Sequence, residues 1–304
     1  MNGPLILYIP GLLPKPPEAT HLAALKACLL AGVCKSDVAV ADSIRAADGS
    51  FDLVAWTYDF YREYRDIAKD SAAISDVITQ PTASNADMRE ASSLLRRLTL
   101  SLYRWGDRLP FLIPHLASEK MAVHLHDLAR YTENRDGVAD HVRDMLKLRL
   151  RAAAEMERPI LLVAHSMGSV IALDSLWQLS QLENASVRVD TLLTMGSPLG
   201  QRYLRKRLLG HAETGSDRYP TNIRHWINLA AVGDLTAIDP SLSDDFAEMR
   251  DLQLLESIDD LSLYNYFRLN GQLNVHSEYG YLVNEVTGSV VADWWRRTTS
   301  THEP

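Results

Sequence analysis

Five short apolar segments, separated by stretches of helical periodicity, constrain the fold of this chain more than any other feature. They cover residues 5–9, 53–57, 160–164, 189–195 and 225–230. Their length and their content of β-branched or aromatic residues are typical of buried strands. Between them, residues 138–146 and 170–177 repeat apolar side chains at the spacing of one helix face. Strands that alternate with helices predict an α/β fold, in which helices cover both faces of a mostly parallel central sheet.

The interval from residue 58 to residue 158 contains no convincing strand. A crossover between parallel strands needs far fewer residues. The sequence therefore predicts one domain over residues 1–304, with a helical insertion or cap at residues 59–158. Inside it, RLPFLIPHLA at residues 108–117 combines two prolines with apolar side chains. That segment fits either a mobile lid over a site or a loop packed into the insertion.

Charge and hydropathy narrow the class of protein. The net charge of -8 argues against nucleic acid as a partner, because phosphates are bound by basic patches. No apolar run reaches the roughly 20 residues that cross a bilayer, and the run at residues 5–9 is too short for a signal-peptide core. Two cysteines, Cys28 and Cys34, are too few for a disulfide framework and are expected to be buried thiols. We expect a cytoplasmic protein without a transmembrane segment, for which peripheral membrane contact stays open.

One segment, ILLVAHSMGSVIALDSL at residues 160–176, indicates a catalytic function. A strand, a turn and a helix follow one another, with Ser166 at the turn. Serine there has two interpretations: a helix N-cap that satisfies an orphan N–H, or a nucleophile held on a strained elbow. An elbow needs small residues two positions before and after the serine, and Ala164 and Gly168 fill those positions.

An activated serine needs a base and a group that orients the base, and after an elbow of this kind the acid precedes the histidine. Two histidines, His276 and His302, lie far enough downstream, and His302 falls in a polar terminal tail. His276 is therefore the predicted base. Asp234 is the predicted acid because it directly follows an apolar strand, where side chains reach the catalytic edge of a sheet. The competing acids are Asp239, Asp244 and Asp245.

Backbone amides complete the predicted site. The amide after the nucleophile, on Met167, and one from the loop after an early strand would form an oxyanion hole. Gly11 follows the strand at residues 5–9 and permits a sharp turn that aims the Leu12 amide inward. The alternative is an ordinary turn in a proline-rich loop.

Four motifs together carry a family resemblance: LYIPGLLPKPP, VAHSMGSVIALDSL, LLTMGSPLG and WINLAAVGD. They resemble the α/β-hydrolase superfamily, especially lipase-like and esterase-like serine hydrolases, and are similar to intracellular phospholipase-like and inositol-deacylase-like members. The resemblance covers the sheet core but not the insertion. It implies Ser166 as nucleophile, His276 as base, Asp234 as orienting acid, and the Leu12 and Met167 amides as oxyanion donors. This chain departs from the family pattern at Pro10, where many relatives have histidine, and at Ala164, where glycine is commoner.

The predicted reaction is hydrolysis of a carboxylic ester, from a small molecule or a lipid, through an acyl-serine intermediate that needs no cofactor. Thioester hydrolysis or acyl transfer would use the same triad, and a non-catalytic binding module would keep the fold alone. No metal site is predicted, because His124 and His126 stand two residues apart and face different sides of a helix. The basic segment at residues 202–218 fits either a solvated helix face or a contact with an anionic head group.

Overall fold

A six-stranded parallel sheet forms the centre of the protein. The computed structural model describes residues 3–108 and 119–300, and their side chains outside residues 104–125. The sheet has the order β2-β1-β3-β4-β5-β6, and every neighbouring pair is parallel. Its strands are β1 (Leu5–Ile9), β2 (Phe51–Leu53), β3 (Ile160–His165), β4 (Val189–Met195), β5 (Ile223–Ala231) and β6 (Ser257–Leu263). A short antiparallel hairpin of β7 (Arg268–Leu269) and β8 (Gln272–Leu273) follows.

Helices surround the sheet. In chain order they are α1 (Glu18–Ser36), α2 (Val38–Ala46), α3 (Thr57–Tyr61), α4 (Ala68–Thr79), α5 (Asn85–Ala91), α6 (Leu94–Arg108), α7 (Glu119–Thr132), α8 (Val138–Glu155), α9 (Met167–Trp177), α10 (Arg202–Arg205), α11 (Leu242–Asp245), α12 (Ala247–Asp251), α13 (Glu278–Leu282) and α14 (Glu285–Ser300). In the part of the chain that the structure describes, no helix is both long and apolar enough to cross a membrane.

Successive side chains of the central strands point to opposite faces of the sheet, and the core therefore has two layers. On β3, Leu162 and Ala164 join one apolar cluster, whereas Leu161 and Val163 join the other. Helices α8 and α9 supply side chains to the first cluster, and α1 and α14 supply them to the second. Because both faces are covered, the inner strands are apolar throughout, which is why they stand out in the sequence. The predicted fold class is confirmed.

The second apolar segment was predicted incorrectly. The strand spans Phe51–Leu53, whereas residues 53–57 had been expected, and a helix already begins at Thr57. The apolar residues beyond β2 pack elsewhere: Trp56 is buried, and its indole Nε1 donates to the carbonyl oxygen of Pro10 at 2.9 Å. An apolar run alone does not distinguish a strand from a buried turn.

Strand β6 is absent from the predicted set because its sequence, SIDDLSL, carries two carboxylates. As the last strand of the sheet it has one exposed edge, so polar side chains are tolerated there. Asp260 accepts hydrogen bonds from the amides of Leu242 and Ser243 at 3.0 and 2.9 Å. This carboxylate therefore anchors the start of α11.

Between β2 and β3 the described residues contain the helices α3 to α8, in the interval where the sequence predicts a helical insertion. Apart from its first residue, the lid or loop predicted at residues 108–117 lies outside the described residues. One of the two cysteine predictions is wrong: Cys28 is buried, but Cys34 is exposed.

Candidate active site

Ser166 lies on a strained turn between β3 and α9. Its backbone has φ 53° and ψ -123°, a conformation that costs an L-residue about 1–3 kcal/mol and persists only where the surroundings enforce it. The Ser166 amide donates to the carbonyl oxygen of Met195 at 2.9 Å, and the Ser169 hydroxyl donates to the Ser166 carbonyl at 2.6 Å. Although Ser166 occupies the N-cap position of α9, its side chain forms no capping hydrogen bond. Its hydroxyl is directed elsewhere.

That hydroxyl contacts His276, and His276 contacts Asp234. Ser166 Oγ lies 3.0 Å from His276 Nε2, and His276 Nδ1 lies 2.8 Å from Asp234 Oδ2. The three residues come from the turn after β3, the loop before α13 and the turn after β5. The carboxyl ends of parallel strands lie at one edge of a sheet, which brings residues 166, 234 and 276 together.

Asp234 is fully surrounded by protein but remains ionised. Burial raises the pKa of its carboxyl group, but the neighbouring His276 and three hydrogen bonds outweigh that effect, and the net pKa is lowered. Besides His276, the donors are the Thr236 amide and the Tyr281 hydroxyl, each at 2.8 Å. The Tyr281 oxygen in turn accepts from the Ala231 amide at 2.8 Å. An ionised carboxylate only accepts hydrogen bonds, so His276 Nδ1 donates to Asp234, and Nε2 is the ring nitrogen that faces Ser166.

Gly11 and Gly168 allow the loop after β1 to approach the elbow. A Cβ atom on Gly11 would lie 2.7 Å from the Cβ atom of Ser166, and one on Gly168 would lie 2.4 Å from the Ile9 carbonyl oxygen. Neither position has room for a side chain. Met167 is the first residue of α9, where an N–H has no acceptor within the helix. Among the described residues the Leu12 amide donates no hydrogen bond.

Side chains from other elements hold this loop. The Leu13 amide donates to the Tyr61 hydroxyl at 3.1 Å, and that hydroxyl donates to Asp127 at 2.8 Å. The Pro10 carbonyl accepts from Trp56, so the proline that departs from the family pattern occupies a defined turn. Ala164 pairs with Ile9 and Thr194 within the sheet, where its methyl group is buried.

One residue beside these three side chains, Gly196, was missed by sequence reasoning. Gly196 has φ 56°, and a Cβ atom there would lie 2.9 Å from Asp234 Oδ2 and 3.1 Å from His276 Nδ1. Its place directly after β4, in the motif MGSP, was the available signal. His165 packs in the elbow, where the centroid of its ring lies 4.8 Å from that of the His276 ring. In addition its Nε2 lies 3.0 Å from the His276 carbonyl oxygen.

A second buried carboxylate links the two loops of the site. Glu278, two residues after His276, has one oxygen 2.8 Å from Lys15 Nζ and 3.1 Å from His21 Nε2. Its other oxygen accepts from the Tyr8 hydroxyl at 3.0 Å. Burial raises the pKa of this carboxyl group, but Lys15 and His21 outweigh it, and the pKa lies well below its ordinary value. The ionised group joins the loop after β1 to the histidine loop.

The competing candidates are engaged elsewhere. The Asp239 side chain accepts from the Ser241 amide at 3.2 Å, Asp245 pairs with Arg205, and Asp244 lies in α11. The His302 alternative, like the His124 side chain, falls outside the residues and side chains described.

Comparison with known families agrees with this architecture. A model of the alpha/beta hydrolase family matches residues 98–301, which is more than half of the chain. The chain belongs to the alpha/beta hydrolase family. Membership supports a hydrolase-type activity, and the resemblance drawn from the four motifs is confirmed at the level of this family. No curated protein and no solved structure matches the chain.

Proposed function

We propose that this alpha/beta hydrolase cleaves carboxylic esters through a covalent acyl-serine intermediate. Ser166 is the nucleophile, His276 the general base and acid, and Asp234 the group that orients His276. The observation that carries the proposal is the chain of two hydrogen bonds from Ser166 Oγ to His276 at 3.0 Å and from His276 to Asp234 at 2.8 Å. The strained φ of Ser166 supports it, because folding alone gives no reason to keep a serine there.

The proposed reaction has two halves. Ser166 Oγ attacks the ester carbonyl carbon while His276 Nε2 takes the hydroxyl proton, and the carbonyl oxygen becomes an oxyanion. The C–O bond to the alcohol then breaks, and His276 returns the proton to that leaving oxygen. Water repeats the sequence on the acyl-serine, releasing the carboxylic acid and restoring Ser166. Asp234 stays ionised and stabilises the transient imidazolium.

The oxyanion would be bound by the Leu12 and Met167 amides. The close approach of Gly11 and Gly168 to the elbow supports this assignment, since it brings the loop after β1 against Ser166. Losing one such donor costs about 3–4 kcal/mol of transition-state stabilisation. Both donors are backbone groups, so the contact between Leu13 and Tyr61 is expected to matter for rate.

We extend the proposal to the domain organisation: residues 1–304 form one domain in which the helices at residues 59–158 act as a cap. Contacts from this segment to the site loops support a cap. Tyr61 binds the Leu13 amide, and the Arg96 guanidinium donates to the carbonyl oxygens of Gly233 and Leu273 at 3.5 and 3.2 Å. Those two residues flank the loops of Asp234 and His276.

Covalent labelling tests the proposal directly. A fluorophosphonate should label the wild-type protein, and peptide mapping should find the adduct on Ser166. Ser166→Ala should lose both the labelling and the hydrolysis of p-nitrophenyl esters, while Ser75→Ala, at an exposed serine of α4, should keep both. Rates measured in parallel on thioester substrates show whether the enzyme prefers an alcohol or a thiol as the leaving group. Retention of full ester cleavage by Ser166→Ala would refute the proposal.

A further inference from the structure

Four leucines on one side of α6 are exposed to solvent. Leu94, Leu95, Leu98 and Leu102 have exposed fractions of 71%, 74%, 55% and 55%. At 100° per residue these positions fall within an arc of about 100°, and Arg96, Leu100 and Tyr103, on the opposite side of the helix, are only partly exposed. A contiguous apolar stripe of this kind on a surface helix marks a contact with an apolar partner, whereas single exposed leucines need no explanation. We call these four residues the leucine stripe.

Basic residues frame the leucine stripe. Helix α6 packs against α10. Residues 94–103 and 201–211 together hold six arginines and lysines and no aspartate or glutamate: Arg96, Arg97, Arg202, Arg205, Lys206 and Arg207. The chain as a whole has 39 acidic and 31 basic residues, so these two segments reverse the overall charge, and Arg205 is the one of the six that pairs with a carboxylate already described, Asp245. Arg97 and Lys206 are exposed, and the Arg207 guanidinium stacks 3.6 Å from the centroid of the Tyr203 ring.

The same two helices adjoin the candidate active site. Arg96, on the inward side of α6, donates to the carbonyl oxygens of Gly233 and Leu273, and Gly233 directly precedes Asp234. A Cβ atom on Gly233 would lie 2.4 Å from the Ala91 carbonyl oxygen, so the segment leading into α6 touches the acid loop. Helix α10 follows the loop of Gly196, which contacts Asp234 and His276. Helix α6, which carries the leucine stripe, is therefore anchored to the loop of Asp234.

We propose that the leucine stripe and its basic frame dock this protein on an anionic lipid bilayer. An amphipathic helix lying in the interface buries its apolar face among the acyl chains, while neighbouring arginines and lysines bind anionic head groups. The charge argument selects lipid over a second copy of this chain, because two copies meeting at this face would oppose like charges. The inference rests on the proposed function and names its substrate class: esters presented in a membrane, within reach of Ser166.

Vesicle co-sedimentation of the full-length protein tests the docking. Wild type should pellet with phosphatidylglycerol vesicles and far less with phosphatidylcholine vesicles. Leu98→Asp combined with Leu102→Asp should weaken binding on the order of a hundredfold, since each leucine contributes at least about tenfold. Arg97→Glu combined with Lys206→Glu should weaken it by at least roughly fivefold per residue, and the loss should shrink in high salt. Leu148→Asp, at a leucine of α8 that is 68% exposed, and Arg45→Glu are the matched controls and should bind normally.

The outcomes separate docking from catalysis. Hydrolysis of p-nitrophenyl acetate, a soluble ester, should be equal in wild type and in the leucine double variant. Absence of vesicle binding by wild type, or equal binding by the leucine variant, would overturn the docking proposal and leave the catalytic one standing. Light scattering could instead show that wild type is a dimer and the leucine variant a monomer. That result would identify the leucine stripe as a protein interface and would also overturn the docking proposal. Vesicle binding by a wild-type protein that a fluorophosphonate fails to label would instead refute only the catalytic proposal.

Discussion

His165 donates a hydrogen bond to the backbone of the proposed general base: its Nε2 lies 3.0 Å from the carbonyl oxygen of His276. Burial and the neighbouring His276 lower the pKa of His165 to about 3, so the ring is neutral at physiological pH. A carbonyl oxygen only accepts, so the proton of the neutral ring resides on Nε2. The residue before the proposed nucleophile thus holds the loop of the base.

We predict that His165→Phe slows ester hydrolysis about tenfold at an unchanged KM, because the His276 carbonyl loses its donor and the imidazole loses its position. His165→Gln supplies an N–H donor of similar reach and should recover most of the rate. Steady-state kinetics on p-nitrophenyl acetate distinguish the two variants. Equal rates for both would mean that His165 only fills space.

The Tyr281 hydroxyl is expected to lower the pKa of the Asp234 carboxyl group. Tyr281→Phe removes a donor to the Asp234 carboxylate and leaves the Ala231 amide unpaired. Loss of a donor to the ionised form raises the pKa of Asp234. The acid limb of the kcat/KM profile should therefore move to higher pH, and unfolding should cost about 1–3 kcal/mol less. Tyr64→Phe, at an exposed tyrosine that stacks on Tyr58, is the control and should change neither quantity.

Glu278→Gln should destabilise the protein by about 3–5 kcal/mol at pH 7, because it leaves the charge of Lys15 largely buried without its counter-ion. The folded-state pKa of Glu278 lies below its ordinary value, so the stabilisation is present above about pH 4.5 and is lost as the pH falls. The difference in unfolding free energy between wild type and variant should shrink from pH 7 to pH 3. Urea titrations at both values measure it, and Lys15→Met combined with Glu278→Gln should recover stability. A constant difference across this range would contradict the prediction.

Asp174 should show the opposite pH dependence. Burial raises the pKa of this carboxyl group from 3.8 to about 6, despite hydrogen bonds from the Leu209 amide and the Tyr131 hydroxyl. A raised folded-state pKa stabilises the protonated protein, and this contribution is lost as the pH rises through about 4 to 6. Asp174→Asn stays neutral, so its stability relative to wild type should increase by about 2 kcal/mol between pH 4 and pH 7. Chemical denaturation at the two pH values measures the change, and a flat difference would count against it.

Local sequence was sufficient for the layers of the fold and for the elements of the site. Strands buried on both faces must be apolar along their length, so β1, β3, β4 and β5 could be located from composition alone. The elbow could be located because Ser166 needs small neighbours at Ala164 and Gly168, and that requirement lies within five consecutive residues. Chain order then reduced the histidines to His276. Edge strand β6 was not predicted, because its exposed side allows carboxylates such as Asp259 and its sequence is therefore not uniformly apolar.

Contacts between residues distant in the chain were decided only by the tertiary structure. Glu278 and Lys15 are 263 positions apart, and nothing in the motif around either residue specifies the other. The same holds for the hydrogen bond from Tyr281 to Asp234 and for the approach of Gly196 to both. Hydrogen-bond partners and pKa values depend on burial and on distances of a few ångströms, which arise when separate loops meet at one edge of the sheet. The periodicity of a sequence indicates the face toward which a side chain points, whereas the residues that it contacts are determined only by packing in the folded protein.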